Sequence, residues 1–424
     1  MSIQSISRIR TMLFILPVLL ILAPRSNAQR VGEPVVARAG MQFVVKGKTL
    51  DTIAKGDVLT IQQIREDAFL VMTPSGQRGW VPKVNALQLA EAVEVYDELL
   101  KTHPKDGGLH TMRASARWAR GDRQQAVQDC DRAIALNYKE PDVYVSRALF
   151  KMALQKHEEA IADFSEAIKL APKSASSYIN RAAVYMAQQK YESAISDYSA
   201  AIKLAPKNSS YHQQRAVAWK AHGQAERAIA DFSRAIEHTP QHVPALMGRG
   251  FTQFELGRNA KAVEDFTRVI EIDPKAAPAF NNRGYNLQLM GDYKKALADY
   301  NQAIALAPNY SLAYQNKAWL LAIVKDEKIR DGKQAIGAAK KACELNNYKY
   351  VGDLRVLAAA LAEDGQFAEA IGWQEKVVAM FAEDKKQQEF EQEILQRFQN
   401  KQRYPVDELA AREENENAKK QAGS

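Results

Sequence analysis

A 34-residue repeat is the feature that most restricts what this sequence can fold into. The stretch "AIADFSEAIKLAPKSASSYINRAAVY" at 160–185 returns at 194–219 as "AISDYSAAIKLAPKNSSYHQQRAVAW". Prolines recur at the same spacing, at Pro172, Pro206, Pro240, Pro274 and Pro308. Six regular repeats fill residues 107–310, and their first residues are Gly107, Pro141, Ala175, Ser209, Val243 and Ala277. A unit of this length buries its apolar face only by stacking on its neighbours.

Each repeat carries small and large apolar residues at helical spacing. One position is always alanine: Ala126, Ala160, Ala194, Ala228, Ala262 and Ala296. A larger side chain follows four residues later: Cys130, Phe164, Tyr198, Phe232, Phe266 and Tyr300. This spacing places both on one face of a helix, where the alanine allows close approach and the larger side chain fills the gap. Glycines midway through four repeats, and the proline at the end, predict a helix–turn–helix unit.

The pattern resembles the tetratricopeptide repeat, whose 34-residue helix–turn–helix consensus it follows through all six copies. Weaker copies flank these at 91–104, 313–345 and 354–378, and 383–403 is typical of a polar closing helix. The resemblance implies a mainly α fold, a right-handed α-solenoid of about eight repeats over residues 89–382. Residues 383–424 are then a capping helix followed by a disordered tail.

Residues 29–88 have a different pattern. Short apolar runs at 58–64 and 68–72 have strand length, and the cluster "TPSGQRG" at 73–79 predicts a turn. "KGDVLTI" and "GQRGWVP" resemble the bacterial SH3-like family, so a small all-β barrel is expected before the solenoid. Some members of that family bind cell-wall peptides, which makes cell-wall contact through residues 34–88 a second functional hypothesis. The aromatic cluster with which eukaryotic SH3 domains grip proline helices is missing.

The first 28 residues have the pattern of a signal peptide. Arg8 and Arg10 precede the apolar run "MLFILPVLLILA", and "SNA" supplies small residues before a cut after Ala28. The run is shorter than the roughly 20 residues that span a bilayer. The protein is therefore expected to be exported, to the periplasm or outside the cell, with no membrane span after signal removal. A retained anchor is the alternative.

Charge and cysteine content exclude several classes. The formal net charge is +8, and three arginines of the first 28 residues contribute to it. The remaining excess is small and scattered, which argues against nucleic acid as a partner. Two cysteines are too few for a disulfide framework.

The sequence shows no enzyme motif. Phosphate-binding glycine loops, HExxH and GxSxG are all missing. His238 and His242 have metal-ligand spacing, but Pro240 lies between them in the turn between repeats. Cys130 and Cys343 occupy apolar positions of their helices and are expected to be inert core thiols. We therefore predict no catalytic residue, no cofactor, no metal and no enzymatic activity.

An arginine and an aspartate recur in every regular repeat, the arginine in the first helix and the aspartate in the second. The arginines are Arg113, Arg147, Arg181, Arg215, Arg249 and Arg283. The aspartates are Asp129, Asp163, Asp197, Asp231, Asp265 and Asp299. We expect them to pair where the two helices pack and to fix their register, a structural seam rather than a binding array.

The resemblance also suggests where a partner binds. In this family the first helices line a concave face, mainly through positions 2, 5, 9, 12 and 13. The predicted partner-binding residues at these positions are Trp118, Met152, Met186, Phe251, Phe254 and Tyr285. The alternative is that they pack against neighbouring helices or the chain's own tail. A carboxylate clamp is not expected, because no regular repeat pairs Lys at position 5 with Asn at position 9.

Together these observations predict an exported, non-enzymatic scaffold that binds an unidentified partner peptide or helix in an apolar groove. The alternative function is a cell-envelope protein that recognises wall peptide or glycan through its SH3-like domain, with the solenoid as a spacer.

Overall fold

The computed structural model describes most of the chain in two compact units. The described residues are 34–38, 41–45, 48–53, 58–72 and 78–404. The N-terminal unit ends at His222 and the C-terminal unit begins at Gly223, a division that falls inside the fourth repeat. The predicted signal peptide at 1–28 and most of the predicted tail, residues 405–424, lie outside the described residues.

The N-terminal unit begins with a small antiparallel sheet. Its strands are β1 (Pro34–Ala37), β2 (Met41–Val45), β3 (Lys48–Ile53), β4 (Val58–Ile64), β5 (Ala68–Met72), β6 (Arg78–Pro82) and β7 (Ala86–Gln88). Five of them form one sheet in the order β6-β5-β4-β1-β7, and β2 pairs with β3. Alternate residues such as Leu59, Ile61 and Val71 are buried, as expected for strands with one covered face. The SH3-like assignment stays a prediction.

Eight α-helices follow in the described part of this unit. They are α1 (Val93–Thr102), α2 (Gly107–Arg120), α3 (Arg123–Ala135), α4 (Pro141–Ala153), α5 (His157–Leu170), α6 (Ala175–Ala187), α7 (Tyr191–Leu204) and α8 (Ser209–Ala221). Helices α2/α3, α4/α5 and α6/α7 pack as antiparallel hairpins, and each second helix also contacts the first helix of the next repeat. First helices of neighbouring repeats contact one another as well, α2 with α4 and α4 with α6.

The described part of the C-terminal unit contains ten α-helices. They are α9 (Ala225–His238), α10 (Val243–Glu255), α11 (Asn259–Ile272), α12 (Ala277–Leu289), α13 (Tyr293–Leu306), α14 (Ser311–Ile323), α15 (Gly332–Leu345), α16 (Val351–Glu363), α17 (Phe367–Ala379) and α18 (Lys385–Gln399). Repeats 7 and 8 are the hairpins α14/α15 and α16/α17. The predicted mainly α, repeated helix–turn–helix architecture is confirmed. None of the described helices is long and apolar enough to cross a membrane.

Close helix approach explains the alanine and aromatic pattern. The invariant alanines are all fully buried, and Tyr300 is fully buried beside them. A Cβ placed on Gly284 of α12 would lie 3.0 Å from the Tyr300 ring of α13. The two helices of this hairpin therefore pack so closely that a Cβ at position 284 would require the Tyr300 ring to shift.

The turn inside each of the six regular repeats has a residue with a left-handed backbone. The glycines predicted to lie there have positive φ angles, for example 100° at Gly121 and 72° at Gly257. Repeats 2 and 3 lack the glycine and place Gln155 and Gln189 at the same position, with φ of 61° and 60°. Residues with a Cβ adopt this conformation at a cost, so these two turns are locally strained.

Candidate functional site

Three aromatic side chains lie on successive first helices of the C-terminal unit. Phe254 of α10 meets Tyr285 of α12 edge to face, with ring centroids 5.6 Å apart. Trp319 occupies position 9 of α14, the position that Tyr285 occupies in α12. All three are partly exposed. We call Phe254, Tyr285 and Trp319 the aromatic row.

Phe251 differs from its neighbour Phe254. Its ring meets the ring of Phe266 edge to face, with ring centroids 5.6 Å apart, and Phe266 of α11 is fully buried. Phe251 therefore supports the hairpin core as well as lining the surface. Phe254, whose ring partner is Tyr285, is the better probe of binding.

The remaining predicted groove residues belong to the N-terminal unit and pack against its core. Trp118 stacks on the buried ring of Phe150, with centroids 4.5 Å apart and planes 12° apart. Met152 packs against the cluster that contains Phe164, and Met186 against the cluster that contains Tyr198. Three of the six predicted residues thus lie in each unit; Phe254 and Tyr285 are in contact, whereas Trp118, Met152 and Met186 pack against three different clusters.

The polar residues beside the aromatic row are amides. Asn281 Oδ1 of α12 accepts a hydrogen bond from Asn316 Nδ2 of α14 at 2.9 Å. Gln288 Oε1 accepts from the Tyr300 hydroxyl at 2.8 Å. The first bond joins the first helices of repeats 6 and 7, and the second joins the two helices of repeat 6, so amide and aromatic groups are neighbours on this surface. Such a surface suits apolar anchors of a peptide better than a charged motif.

Sequence reasoning missed two residues of this surface, Trp319 and Tyr404. The Tyr404 ring meets the Trp319 ring edge to face, with centroids 5.1 Å apart. Position 9 of repeat 7 would have identified Trp319, had the irregular repeat been included with the regular six. Tyr404 carries no such signal, because it lies beyond the last helix.

Five of the seam arginines bind their aspartates side-on: Arg113, Arg147, Arg181, Arg249 and Arg283. Arg147 donates through Nε to Asp163 Oδ2 at 2.9 Å and through Nη2 to Asp163 Oδ1 at 2.5 Å. Arg181 and Asp197 repeat this geometry with both distances 2.8 Å, as do Arg283 and Asp299. The hydrogen bonds that Arg181 donates to Asp197 raise the pKa of Arg181 further above its usual range. The aspartates are nearly buried, so each pair satisfies a carboxylate that solvent hardly reaches.

Each seam arginine also reaches back to the preceding repeat, a contact the sequence analysis missed. Nη1 donates to a side chain 16 residues earlier, as from Arg147 to Asp131 at 2.6 Å and from Arg181 to Ser165 at 2.8 Å. The acceptors are Asp97, Asp131, Ser165, Ser199, Ser233 and Thr267. The sequence could have predicted this contact, because a residue with a hydroxyl or carboxylate group stands two positions after most seam aspartates. One guanidinium therefore joins its own hairpin to the previous repeat.

Repeat 7 breaks this pattern. Lys317 stands where the arginine is expected, and Ala338 stands where the aspartate is expected. Burial lowers the pKa of Lys317. The side-on bridge is thus lost at the same repeat in which the loop between α14 and α15 lengthens.

The cysteines and His242, which could in principle react or bind a metal, have structural roles. Burial raises the pKa of both Cys130 and Cys343 to about 12, which keeps the thiols neutral. His242 Nδ1 accepts from the Ala245 N–H at 3.2 Å and caps α10, and burial lowers the pKa of His242. Within the described ranges, no group of three or more His, Cys, Asp or Glu side chains could hold a metal ion.

Models of the tetratricopeptide repeat match several parts of the chain. A model described as "Tetratricopeptide repeat" matches 175–208 and 277–310, a second with the same description matches 83–141 and 215–277, and one described as "TPR repeat" matches 151–189. No curated protein matches the chain.

Solved structures are similar over part of the chain. The C-terminal part of a TPR repeat-containing protein from Cytophaga hutchinsonii is 20% identical, with 56% of this chain and 96% of that one covered and a TM-score of 0.49. YrrB, described as a TPR protein with an unusual peptide-binding site, is 24% identical over 45% of this chain and 98% of its own, with a TM-score of 0.39. MamA from Desulfovibrio magneticus RS-1 is 19% identical over 40% and 97%, with a TM-score of 0.38.

Proposed function

Because the chain carries tetratricopeptide repeats, we propose that it is an exported, non-enzymatic scaffold that binds a partner peptide or helix along the aromatic row. Proteins built from this repeat are protein-interaction scaffolds. The observation that supports this site is the run of three partly exposed aromatic side chains on successive first helices, flanked by amides. Aromatic anchors dominate the free energy of most protein interfaces.

Affinity capture from an extract of the producing cells tests the proposal. The unaltered chain would be compared with the Phe254→Ala/Tyr285→Ala variant, which removes two rings that contact each other on the surface. We expect the variant to lose the partner, because truncating such anchors costs about 2 kcal/mol or more of binding free energy.

The matched control removes exposed apolar area from the same unit but outside the row. Tyr350→Ala/Met380→Ala is suitable, since these side chains are 60% and 48% exposed. Equal capture by the control and loss by the Phe254/Tyr285 variant supports the proposal. Equal capture by all three chains contradicts it.

Export rests on the sequence pattern of residues 1–28, which lie outside the described residues. Cell fractionation followed by N-terminal sequencing of the mature protein tests it. A first residue of Gln29 in the exported fraction is expected. An intact Met1 in a membrane fraction would instead support the retained anchor.

Recognition of wall peptide or glycan through residues 34–88 stays a prediction. Arg65 directly follows β4, and its guanidinium lies 3.9 Å from the centroid of the Trp80 ring of β6, so a side chain of this domain already stacks on the tryptophan. Co-sedimentation of the chain with purified wall material, compared between the unaltered chain and Trp80→Ala, would detect such binding.

A further inference from the structure

Repeat 7 keeps the cation of the seam but lacks its carboxylate. Lys317 stands one repeat after Arg283, and Ala338 stands in the position of Asp299 once the longer loop between α14 and α15 is allowed for. The register of α15 is regular, because its residues at the three core positions are fully buried: Ala335, Ala339 and Ala342. The carboxylate is therefore missing from its place in the fold rather than displaced along the helix.

The ammonium group of Lys317 has no counter-charge in the part of the chain that the structure describes. Lys317 makes no hydrogen bond and no ion pair there, whereas the corresponding Arg283 holds Asp299 through two hydrogen bonds. The residue is partly exposed, and burial alone lowers the pKa of Lys317. A partly desolvated cation without a partner favours the binding of an anion, which restores the interaction that solvent no longer supplies.

A seam cation can be reached by a carboxylate from the solvent side, as the first two regular repeats show. Arg113 Nη1 donates to Asp97 Oδ1 at 2.7 Å, and Arg147 Nη1 donates to Asp131 Oδ1 at 2.6 Å. The side chain of Asp97 is 43% exposed and that of Asp131 is 53% exposed. The side of the cation that faces the preceding repeat is therefore accessible to an acidic group.

At the junction of repeats 6 and 7, the residue at this backward position is Asn301 of α13. It stands one repeat after Thr267, which accepts the backward bond of Arg283, and its side chain is exposed. Helices α13 and α14, which carry Asn301 and Lys317, are in contact. An asparagine leaves the lysine unneutralised, and its Nδ2 group can donate a hydrogen bond to an oxygen atom beside the ammonium.

We propose that Lys317 and Asn301 form a carboxylate-binding site that takes an acidic group of a protein partner. The ammonium binds one carboxylate oxygen and the Asn301 amide donates to the other. The site is separate from the aromatic row, because Lys317 and Trp319 lie roughly 200° apart around α14. Neither Lys317 nor Asn301 stands at position 2, 5, 9, 12 or 13 of a first helix. The inference therefore goes beyond the proposed function and does not depend on it.

Protection of Lys317 from acetylation tests the site in the full chain. N-hydroxysulfosuccinimide acetate reacts with the neutral amine, and a bound carboxylate favours the ammonium form. At matched ionic strength, N-acetylaspartate N-methylamide should slow acetylation of Lys317 about threefold or more, which corresponds to about half a pKa unit. Mass spectrometry of peptides measures the extent at each lysine. The neutral N-acetylasparagine N-methylamide should have no effect, and exposed Lys349 is the internal control.

A second compound distinguishes the source of the carboxylate. N-acetylalanine carries only a terminal carboxylate, whereas N-acetylaspartate N-methylamide carries only that of an acidic side chain. Protection of Lys317 by either compound supports the site, and the stronger one identifies the group that fits. If neither compound protects Lys317 more than it protects Lys349, the proposal is overturned.

A carboxylate introduced into the chain tests the same geometry without a ligand. Asn301→Asp places an acidic group where Asp131 stands relative to Arg147, so acetylation of Lys317 should slow about threefold or more. The added N-acetylaspartate N-methylamide should then have no further effect. Asn301→Ala, the uncharged control, should leave Lys317 reactive and weaken its protection by the compound. Unchanged acetylation of Lys317 in Asn301→Asp overturns the proposal, and this exposed position avoids the folding defect that a buried Ala338→Asp risks.

Discussion

Removal of one seam aspartate measures how much the arginine bridges contribute to stability. In Asp197→Ala, Arg181 loses both side-on hydrogen bonds, each 2.8 Å long, and keeps its bond to Ser165. The side chain of Arg181 is 19% exposed and that of Asp197 is 7% exposed. Breaking a buried pair costs about 3–5 kcal/mol, whereas an exposed pair contributes about 0–1 kcal/mol. The Arg181–Asp197 pair is closer to a buried pair than to an exposed one, so we expect Asp197→Ala to lower the free energy of unfolding by about 3 kcal/mol.

Urea denaturation followed by circular dichroism gives the free energies of unfolding for a double-mutant cycle. Asp197→Ala, Arg181→Met and the double variant should show a coupling free energy of about 2 kcal/mol, as expected for hydrogen bonds to charged groups. Ser165→Ala, which removes the contact to the preceding repeat, should cost about 1 kcal/mol.

The matched control is Glu166→Ala, which removes an exposed pair with Lys169 on the helix before. Its effect should stay within about 0.5 kcal/mol. A coupling free energy below about 0.5 kcal/mol between Arg181 and Asp197 would refute the reasoning. The bridge would then be energetically equivalent to a surface pair, despite its burial.

Three further predictions follow from local geometry. Gln189→Gly should raise the free energy of unfolding by about 0.5–1 kcal/mol, because glycine relieves the positive φ; Gly257→Gln should lower it by a similar amount in the same urea assay. His242→Ala should destabilise the chain by about 1 kcal/mol at pH 7.5 through loss of the α10 cap. Since the folded pKa of His242 is lowered, the cap contributes fully above the ordinary histidine pKa of about 6.5. That contribution is lost as the pH falls below this value, so the difference from His242→Ala should shrink at pH 5, whereas His242→Asn should keep its cap at both pH values. Cys130 and Cys343 should resist iodoacetamide at pH 8 in the folded chain and react after unfolding in guanidinium, as mass spectrometry would show; rapid alkylation of the folded chain would contradict their neutral, buried state.

The repeated part of the fold was predictable because it depends on residue patterns that are short and recur every 34 residues. The two strands at 58–64 and 68–72 coincide with β4 and β5, and the prolines end helices where expected. The Arg181–Asp197 contact followed from a spacing repeated six times. Small residues at fixed helical positions leave few ways for two helices to pack.

The parts that escaped prediction depend on single contacts between distant residues. A helix expected to be polar, α18, buries Glu391 completely, because Arg355 of α16, Gln374 of α17 and Gln387 of α18 itself donate hydrogen bonds to its carboxylate. Tyr404 reaches Trp319 only after the chain has reversed at Lys401. Neither contact recurs from repeat to repeat, so a periodic sequence pattern could not predict it.

The backward bond of each seam arginine also determines how far a local opening spreads. In an array where each hairpin touches only its neighbours, stability is a sum of hairpin terms and interface terms. The bond from Arg283 to Thr267 belongs to an interface term, and so does each of its counterparts. Lys317 replaces the arginine in repeat 7, so we expect this interface term to be smaller there and repeats 7 and 8 to open while repeats 5 and 6 stay closed. Such opening would divide the cooperativity of the C-terminal unit at α14, the helix whose Trp319 contacts Tyr404.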